Sequence, residues 1–80
     1  MRIDKFLKVS RILKRRTVAQ DACAANKVII NGKPAKAGTQ VKIDDIITVN
    51  FSTKPFIFRV VKTCEHVKAD LAYTMYEIAE

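Results

Sequence analysis

The feature that most restricts the fold of this chain is a β-branched run, Val28-Ile29-Ile30, followed directly by Asn31-Gly32. Asn and Gly adopt the positive φ angles that a two-residue hairpin turn requires, so this segment predicts a strand and a tight turn. The chain would return over residues 33–36, where a proline at position 34 removes one backbone donor and favours a sheet edge. A hairpin near the middle of the sequence therefore starts a sheet.

Two helical patterns precede this hairpin. Apolar residues recur at three- and four-residue intervals, which predicts a first helix over residues 4–13, with Asp4 as its N-cap and Arg2 just outside. Thr17 and Gln20 fit a capping box, which predicts a second helix that starts at Thr17 and ends at Asn26. The basic segment 14–16 would then connect the two helices.

Strand patterns follow the hairpin. Alternating polarity and a high content of β-branched and aromatic residues predict strands over residues 40–43, 46–51 and 56–61. Turns are expected at Asp44-Asp45 and at residues 52–55. Beyond residue 66 the pattern predicts a helical turn over residues 68–73, then a last strand or the end of a short helix over residues 75–78. The order of elements indicates an α+β fold class.

Charge is distributed unevenly along the 80 residues. Residues 1–42 contain 11 Lys and Arg against two Asp, whereas residues 43–80 contain four basic and six acidic residues. Because domains usually have roughly 100–200 residues, we expect one small domain over residues 1–80. Any polyanion would be bound by the N-terminal half.

Composition also argues against several classes of function. The longest apolar runs have three or four residues, whereas a membrane span needs about 20, and no secretory signal is present, so we expect a cytoplasmic protein. In a reducing cytosol Cys23 and Cys64 are expected to be buried thiols rather than a disulfide. With His66 as the one histidine and no CxxC pair, we expect no metal site and no cofactor. Nothing supplies a group to orient His66 as a base, so a binding protein is predicted rather than an enzyme.

The strongest candidate for binding is Lys14-Arg15-Arg16-Thr17, three cations at the start of the predicted second helix. Backbone N–H groups and the helix dipole favour an anion there, and the cations add to the same potential. A solvated charge run is the alternative interpretation of this segment taken alone. Further cations on one side of the first helix and beside the hairpin would extend it into one continuous cationic surface. The candidate residues are Arg2, Lys5, Lys8, Arg11, Lys14, Arg15, Arg16, Thr17, Lys27 and Lys33.

Aromatic residues offer a second possibility. Phe56, Phe58, Tyr73 and Tyr76 could stack on bases, as in RNA-binding proteins that use a sheet as a platform. They lie in the near-neutral half of the sequence, away from the cations, and a buried aromatic side chain contributes roughly 2 kcal/mol or more. Packing in the core or at its rim is therefore the favoured interpretation.

Taken together, these segments resemble the S4 RNA-binding domain, also called the alpha-L motif. The resemblance is carried by RIDKFL at residues 2–7, Ser10-Arg11, KRRT at 14–17, KVIINGK at 27–33 and VKIDD at 41–45, and it covers about residues 1–51. It implies that two short N-terminal helices pack on a small, mostly antiparallel sheet and present basic residues to structured RNA, with residues 52–80 as a C-terminal extension. Asn26 and Asp44 stand where the family often has Gly, and both residue types tolerate left-handed backbone angles.

Small stand-alone members of this family act in ribosome-associated quality control. The resemblance to them implies binding to large-subunit rRNA and to P-site peptidyl-tRNA on obstructed large ribosomal subunits. It also implies support for the factor RqcH, which extends the stalled chain with a C-terminal alanine tail on the same particle. Arg2 and Arg16 would be the main RNA contacts, and Asp4 would orient Arg2. We expect no membrane partner and a monomer when the protein is free.

A chain of this size and charge has three alternative functions. A ribosome-assembly or heat-shock-type factor would bind the same subunit without a role in tailing, and the residues do not separate it from the first hypothesis. An RNA-modifying enzyme is disfavoured because the chain is too short for a separate catalytic domain. A membrane-surface protein is disfavoured because the apolar face of the first helix is needed for the core.

Overall fold

A computed structural model describes residues 1–50 and 53–79. Two α-helices come first, α1 (Ile3–Val9) and α2 (Arg16–Ala24), followed by the strands β1 (Val28–Ile30), β2 (Lys33–Pro34), β3 (Ile46–Val49) and β4 (Phe56–Val60). A 3₁₀ helix (Ala69–Met75) leads into β5 (Tyr76–Ile78). Among the described residues, five strands form one antiparallel sheet in the order β2-β1-β3-β4-β5. The predicted fold, two short N-terminal helices on a small antiparallel sheet, is confirmed.

The hairpin forms as predicted. Asn31 and Gly32 have φ angles of 50° and 85°, and β2 pairs with β1 at the edge of the sheet. The Asn31 side chain also ties the turn to the start of β3: its Oδ1 accepts the Ile46 N–H at 2.9 Å, and its Nδ2 donates to Asp45 Oδ1 at 3.0 Å. Asn31 therefore stabilises the turn through its side chain as well as through its backbone angle.

The core lies between the two helices and one face of the sheet. Apolar residues spaced three and four apart on α1 place Phe6 and Leu7 toward the strands, and the Phe6 ring stacks on Phe58 of β4 with centroids 6.1 Å apart. The small residues Ala19 and Ala22 of α2 are buried beside them. Each large apolar side chain that is fully buried contributes about 1.5–3 kcal/mol, so this contact between layers holds the helices on the sheet.

The helix boundaries differ from the predicted ones. α1 ends at Val9 rather than at residue 13, because Arg11 adopts a left-handed φ of 65° that no further helical turn tolerates. Asp4 is not the N-cap; it lies inside the first turn, and Arg2 holds the N-cap position. α2 starts at Arg16 and ends at Ala24. The left-handed residue predicted at Asn26 is confirmed, with a φ of 59°.

The segment before β3 is the largest error among the strand predictions. Within the described residues, the strand expected over 40–43 is reduced to one bridge between Gln40 and Arg2. The Val41 N–H donates to the Met1 carbonyl at 2.8 Å, so this segment pairs with the N-terminus instead of with the sheet. Asp44 has a φ of 76° in the turn that follows, as expected of a residue in a Gly position.

Predictions for the later segments are closer to the structure. The strand expected over residues 46–51 is observed as far as Val49, and residue 51 lies outside the described residues, as does residue 52 of the next predicted turn. The strand expected over 56–61 ends at Val60. The predicted helical turn is the 3₁₀ helix, and the last strand follows it directly. No helix in the described ranges 1–50 and 53–79 is both long and apolar enough to cross a bilayer.

Candidate nucleic-acid interface

The N-terminal ends of α1 and α2 meet at one carboxylate, that of Asp4. Its side chain is fully buried and accepts five hydrogen bonds from four residues. Lys5 donates its backbone N–H to Oδ1 at 2.8 Å, while Gln20 Nε2, Arg2 Nη2 and Arg16 Nε donate to Oδ2 at 3.0, 3.2 and 3.2 Å. A second Arg16 nitrogen lies 3.4 Å from Oδ1. We call these five residues the Asp4 cluster.

The Asp4 carboxylate is charged at neutral pH although it is buried. Burial raises the pKa of this group, but hydrogen bonds from Gln20, Arg16 and the Lys5 N–H together outweigh it and leave the pKa below its ordinary value. The Arg2 and Arg16 side chains remain 48% and 42% exposed. Both guanidinium groups are therefore held on one side by a fixed negative charge and open to solvent on the other.

The segment over residues 37–41, predicted in part as a strand, positions Arg2. Its backbone pairs with the N-terminus through the Ile3 N–H, which donates to the Thr39 carbonyl at 2.8 Å, and through the Arg2–Gln40 bridge. The Arg2 guanidinium lies over Gly38. A Cβ added to Gly38 would be 3.9 Å from the guanidinium atoms. This segment therefore does not form the predicted strand; it pairs with the N-terminus and holds Arg2 in place.

A groove opens beside the Asp4 cluster, and we call it the cationic groove. Its walls are Lys5, Lys8, Val9, Arg11, Arg16, Glu65, His66 and Val67. Lys5 Nζ forms an ion pair with Glu65, whose carboxylate is 64% exposed. The hydrogen bond from Lys5 lowers the pKa of Glu65, although such an exposed pair contributes little to stability.

The structure brings together five of the ten predicted binding residues. Arg2 and Arg16 share Asp4, and Lys5, Lys8 and Arg11 join Arg16 in the cationic groove. Arg11 reaches it from beyond the end of α1, not from the predicted cationic helix face. The other five are exposed outside this groove, along the connection and start of α2 and beside the hairpin: Lys14, Arg15, Thr17, Lys27 and Lys33. Asp4 and Glu65 reduce the charge of a surface that was expected to contain few acids.

Sequence patterns missed several residues of the site. The pattern of residues 17–20 predicts a capping box, but the Gln20 amide instead donates to Asp4 of the facing helix. Glu65 and His66 reach the groove from a segment about 60 positions further along the chain, and no local pattern indicates such a contact. The expected role of Asp4 in orienting Arg2 is confirmed by their hydrogen bond, whereas its expected role as the N-cap of α1 is wrong.

The cysteines and the aromatic residues have no direct part in the Asp4 cluster. Both described cysteines are free thiols; Cys23 is buried as expected, whereas Cys64 is only half-buried. Burial, and after it the charge of Asp4, raises the pKa of the Cys23 thiol. Phe58 lies in the core, and Tyr73 is 67% exposed, contrary to the expected packing at the rim. In the described part of the chain, no group of three His, Cys, Asp or Glu residues could hold a metal ion.

Comparison with known proteins gives consistent matches. A model of the S4 domain matches residues 1–47, which include both helices of the Asp4 cluster. The RQC P-site tRNA stabilizing factor of Halalkalibacterium halodurans is 44% identical over 98% of this chain and 89% of its own. The factor of the same name from Bacillus subtilis is 44% identical over 98% of this chain and 91% of its own. Among solved structures, the trimeric heat shock protein 15 of Vibrio cholerae has a TM-score of 0.91 at 28% identity, over 99% of this chain and 81% of that one.

Proposed function

This chain belongs to the S4 domain family, and on that premise we propose that it binds large-subunit rRNA and P-site peptidyl-tRNA on obstructed large ribosomal subunits. It is a non-catalytic RNA-binding protein with a role in ribosome-associated quality control. The finer role that we assign is to hold the P-site tRNA while RqcH adds alanine residues to the stalled chain. Its place of action is the cytoplasm, where the ribosomes are.

The observation that carries this proposal is the pair of guanidinium groups on Asp4. A guanidinium presents several N–H donors in a planar arrangement that matches phosphate oxygens. Here the guanidinium groups of Arg2 and Arg16 are both bound to the carboxylate of Asp4. Phosphate contacts supply most of the affinity of many RNA complexes. Because both heads are already positioned, binding costs less side-chain entropy than it would for free arginines. The cationic groove extends this surface along α1.

Co-sedimentation with purified large subunits tests the proposal. Particles with and without peptidyl-tRNA in the P site are compared, each with wild type, Arg16→Ala and Arg59→Ala. Arg59 is a matched control, because its removal costs the same charge but it lies on β4, outside the Asp4 cluster and the cationic groove, and pairs there with Asp44 and Glu77. We expect retention that needs both the tRNA and Arg16 and is unchanged in Arg59→Ala.

A second candidate function has one observation in its favour, the similarity in fold to heat shock protein 15. On this alternative the chain is an assembly or heat-shock-type factor that binds large subunits without serving tailing. Equal binding to empty and tRNA-occupied subunits would favour it, and loss of all binding would exclude both functions. We expect the free chain to sediment as a monomer, in contrast to the trimer of that neighbour.

A further inference from the structure

A second groove adjoins the cationic groove and has a different character. Ile12, Leu13, Val49, Phe56 and Tyr76 line it, and Lys54 contributes to its wall. Arg11 lines both grooves, so the two adjoin at this residue. We call the second groove the aromatic cleft.

The rings of the aromatic cleft are fixed in place. Phe56 and Tyr76 meet edge to face, with centroids 5.9 Å apart and planes at 85°. Each also contacts the buried Phe58 at 5.4 Å, and Phe58 in turn stacks on Phe6 in the core. Phe56 and Tyr76 are nevertheless only half-buried, so part of their surface faces the cleft. The core thus supports an aromatic surface that is open to a flat, apolar ligand.

The position of this surface differs from what the sequence indicated. Phe56 and Tyr76 belong to the near-neutral half of the chain, and separation from the cations was the argument against base stacking. The sheet removes that separation: β4 and β5 carry the rings to the segment after α1, where Arg11 stands with a φ of 65°. An aromatic surface and a cation are therefore adjacent.

We propose that the aromatic cleft binds one unpaired nucleobase from an RNA strand whose phosphates occupy the cationic groove. A nucleotide carries an anionic group and a flat aromatic group together, which is the combination that Arg11 and the two rings match. Stacking on aromatic side chains is how proteins commonly hold bases that have left a helix. An apolar protein segment would offer no anionic group to Arg11, which lines both grooves. This inference rests on the proposed function, because it assigns a base to the RNA bound there.

Two RNA hairpins of equal length test the proposal. One contains a single unpaired 2-aminopurine, whose fluorescence falls when it stacks, and the other is fully paired. We expect wild type to bind the first about tenfold more tightly and to quench its fluorescence, since stacking one base contributes a factor of this order. Tyr76→Phe should retain both effects because the ring remains.

Tyr76→Leu should lose the tenfold preference and the quenching while it still binds the paired hairpin. Tyr73→Leu is the matched control, because Tyr73 is exposed on the 3₁₀ helix and does not line the cleft. Thermal melting establishes that each variant is folded; if Tyr76→Leu is not, quenching by wild type and Tyr76→Phe decides the matter.

The two proposals fail in different ways. Equal affinity of wild type for both hairpins, or binding without quenching, would overturn the base site and leave the RNA-binding function intact. Binding of both hairpins that is indifferent to Arg16→Ala and to salt would instead contradict the phosphate surface, and with it the inference that rests on it.

Discussion

Replacement of Asp4 by Asn tests whether Asp4 acts by positioning Arg2 and Arg16 or only through its own negative charge. The substitution removes a negative charge from the candidate interface and raises the net charge from +7 to +8, so charge alone predicts tighter RNA binding. The geometry predicts the reverse. Asn keeps one oxygen that can accept the Lys5 N–H, but its amide nitrogen would face the donors of Gln20 and Arg16. Arg2 and Arg16 would then lose their common anchor.

The magnitude follows from the contacts of Asp4. A hydrogen bond to a charged group contributes about 1.5–3 kcal/mol, and the half-exposed arginines on this carboxylate recover part of that loss from water. We expect unfolding to become easier by about 2 kcal/mol, a fall in Tm of roughly 10 °C for a domain of this size. Two arginine side chains that must be ordered on binding cost about 0.5–1.5 kcal/mol each, so RNA affinity should fall by about tenfold.

The assay is RNA binding below the Tm of the variant, with Asp21→Asn as the matched control. Asp21 is exposed on α2, and its replacement makes the same change in net charge. We expect Asp21→Asn to bind RNA as well as wild type or slightly better. If folded Asp4→Asn also binds more tightly than wild type, Asp4 does not position the arginines and the reasoning is wrong.

Three further predictions concern pH, salt and the hairpin. The pKa of Asp4 is lower in the folded chain than in the unfolded one, so its contribution to stability is present above about pH 4 and is lost as pH falls through the folded value. In thermal melts between about pH 5 and 2, the Tm of Asp4→Asn should therefore fall less than that of wild type. RNA affinity should fall steeply with salt, and Arg16→Ala should reduce the log–log slope by about 1 in titrations at several salt concentrations; an unchanged slope would show that Arg16 meets no phosphate. Gly32 has a φ of 85°, so Gly32→Ala should lower the free energy of unfolding by about 1 kcal/mol in urea titrations. Asn31→Ala should lower it by about as much or more, because two side-chain hydrogen bonds are also lost. Full stability in both variants would contradict the assigned turn.

The parts of the fold that were predicted correctly depend on local backbone preferences. Asn31-Gly32 indicated the hairpin, and Asn26 and Asp44 indicated left-handed positions, because each residue type restricts its own φ and ψ wherever it stands. The strand expected over residues 40–43 failed because its backbone groups pair with the N-terminus. That choice depends on where Met1 and Arg2 lie, and a local pattern does not contain it.

For the candidate site, too, some features follow from the residues themselves and others depend on how the chain folds. Sequence alone determined which half of the chain is cationic and that Arg2 and Arg16 are candidate contacts, since charge belongs to the residue itself. The expected contact of Asp4 with Arg2 is present, but only the tertiary structure decided that Arg16 and Gln20 bind the same carboxylate, because this depends on two helices that bury it between side chains up to 16 positions apart. It also decided that Phe56 and Tyr76 stand beside Arg11, since sheet pairing, not order along the chain, sets which surfaces meet.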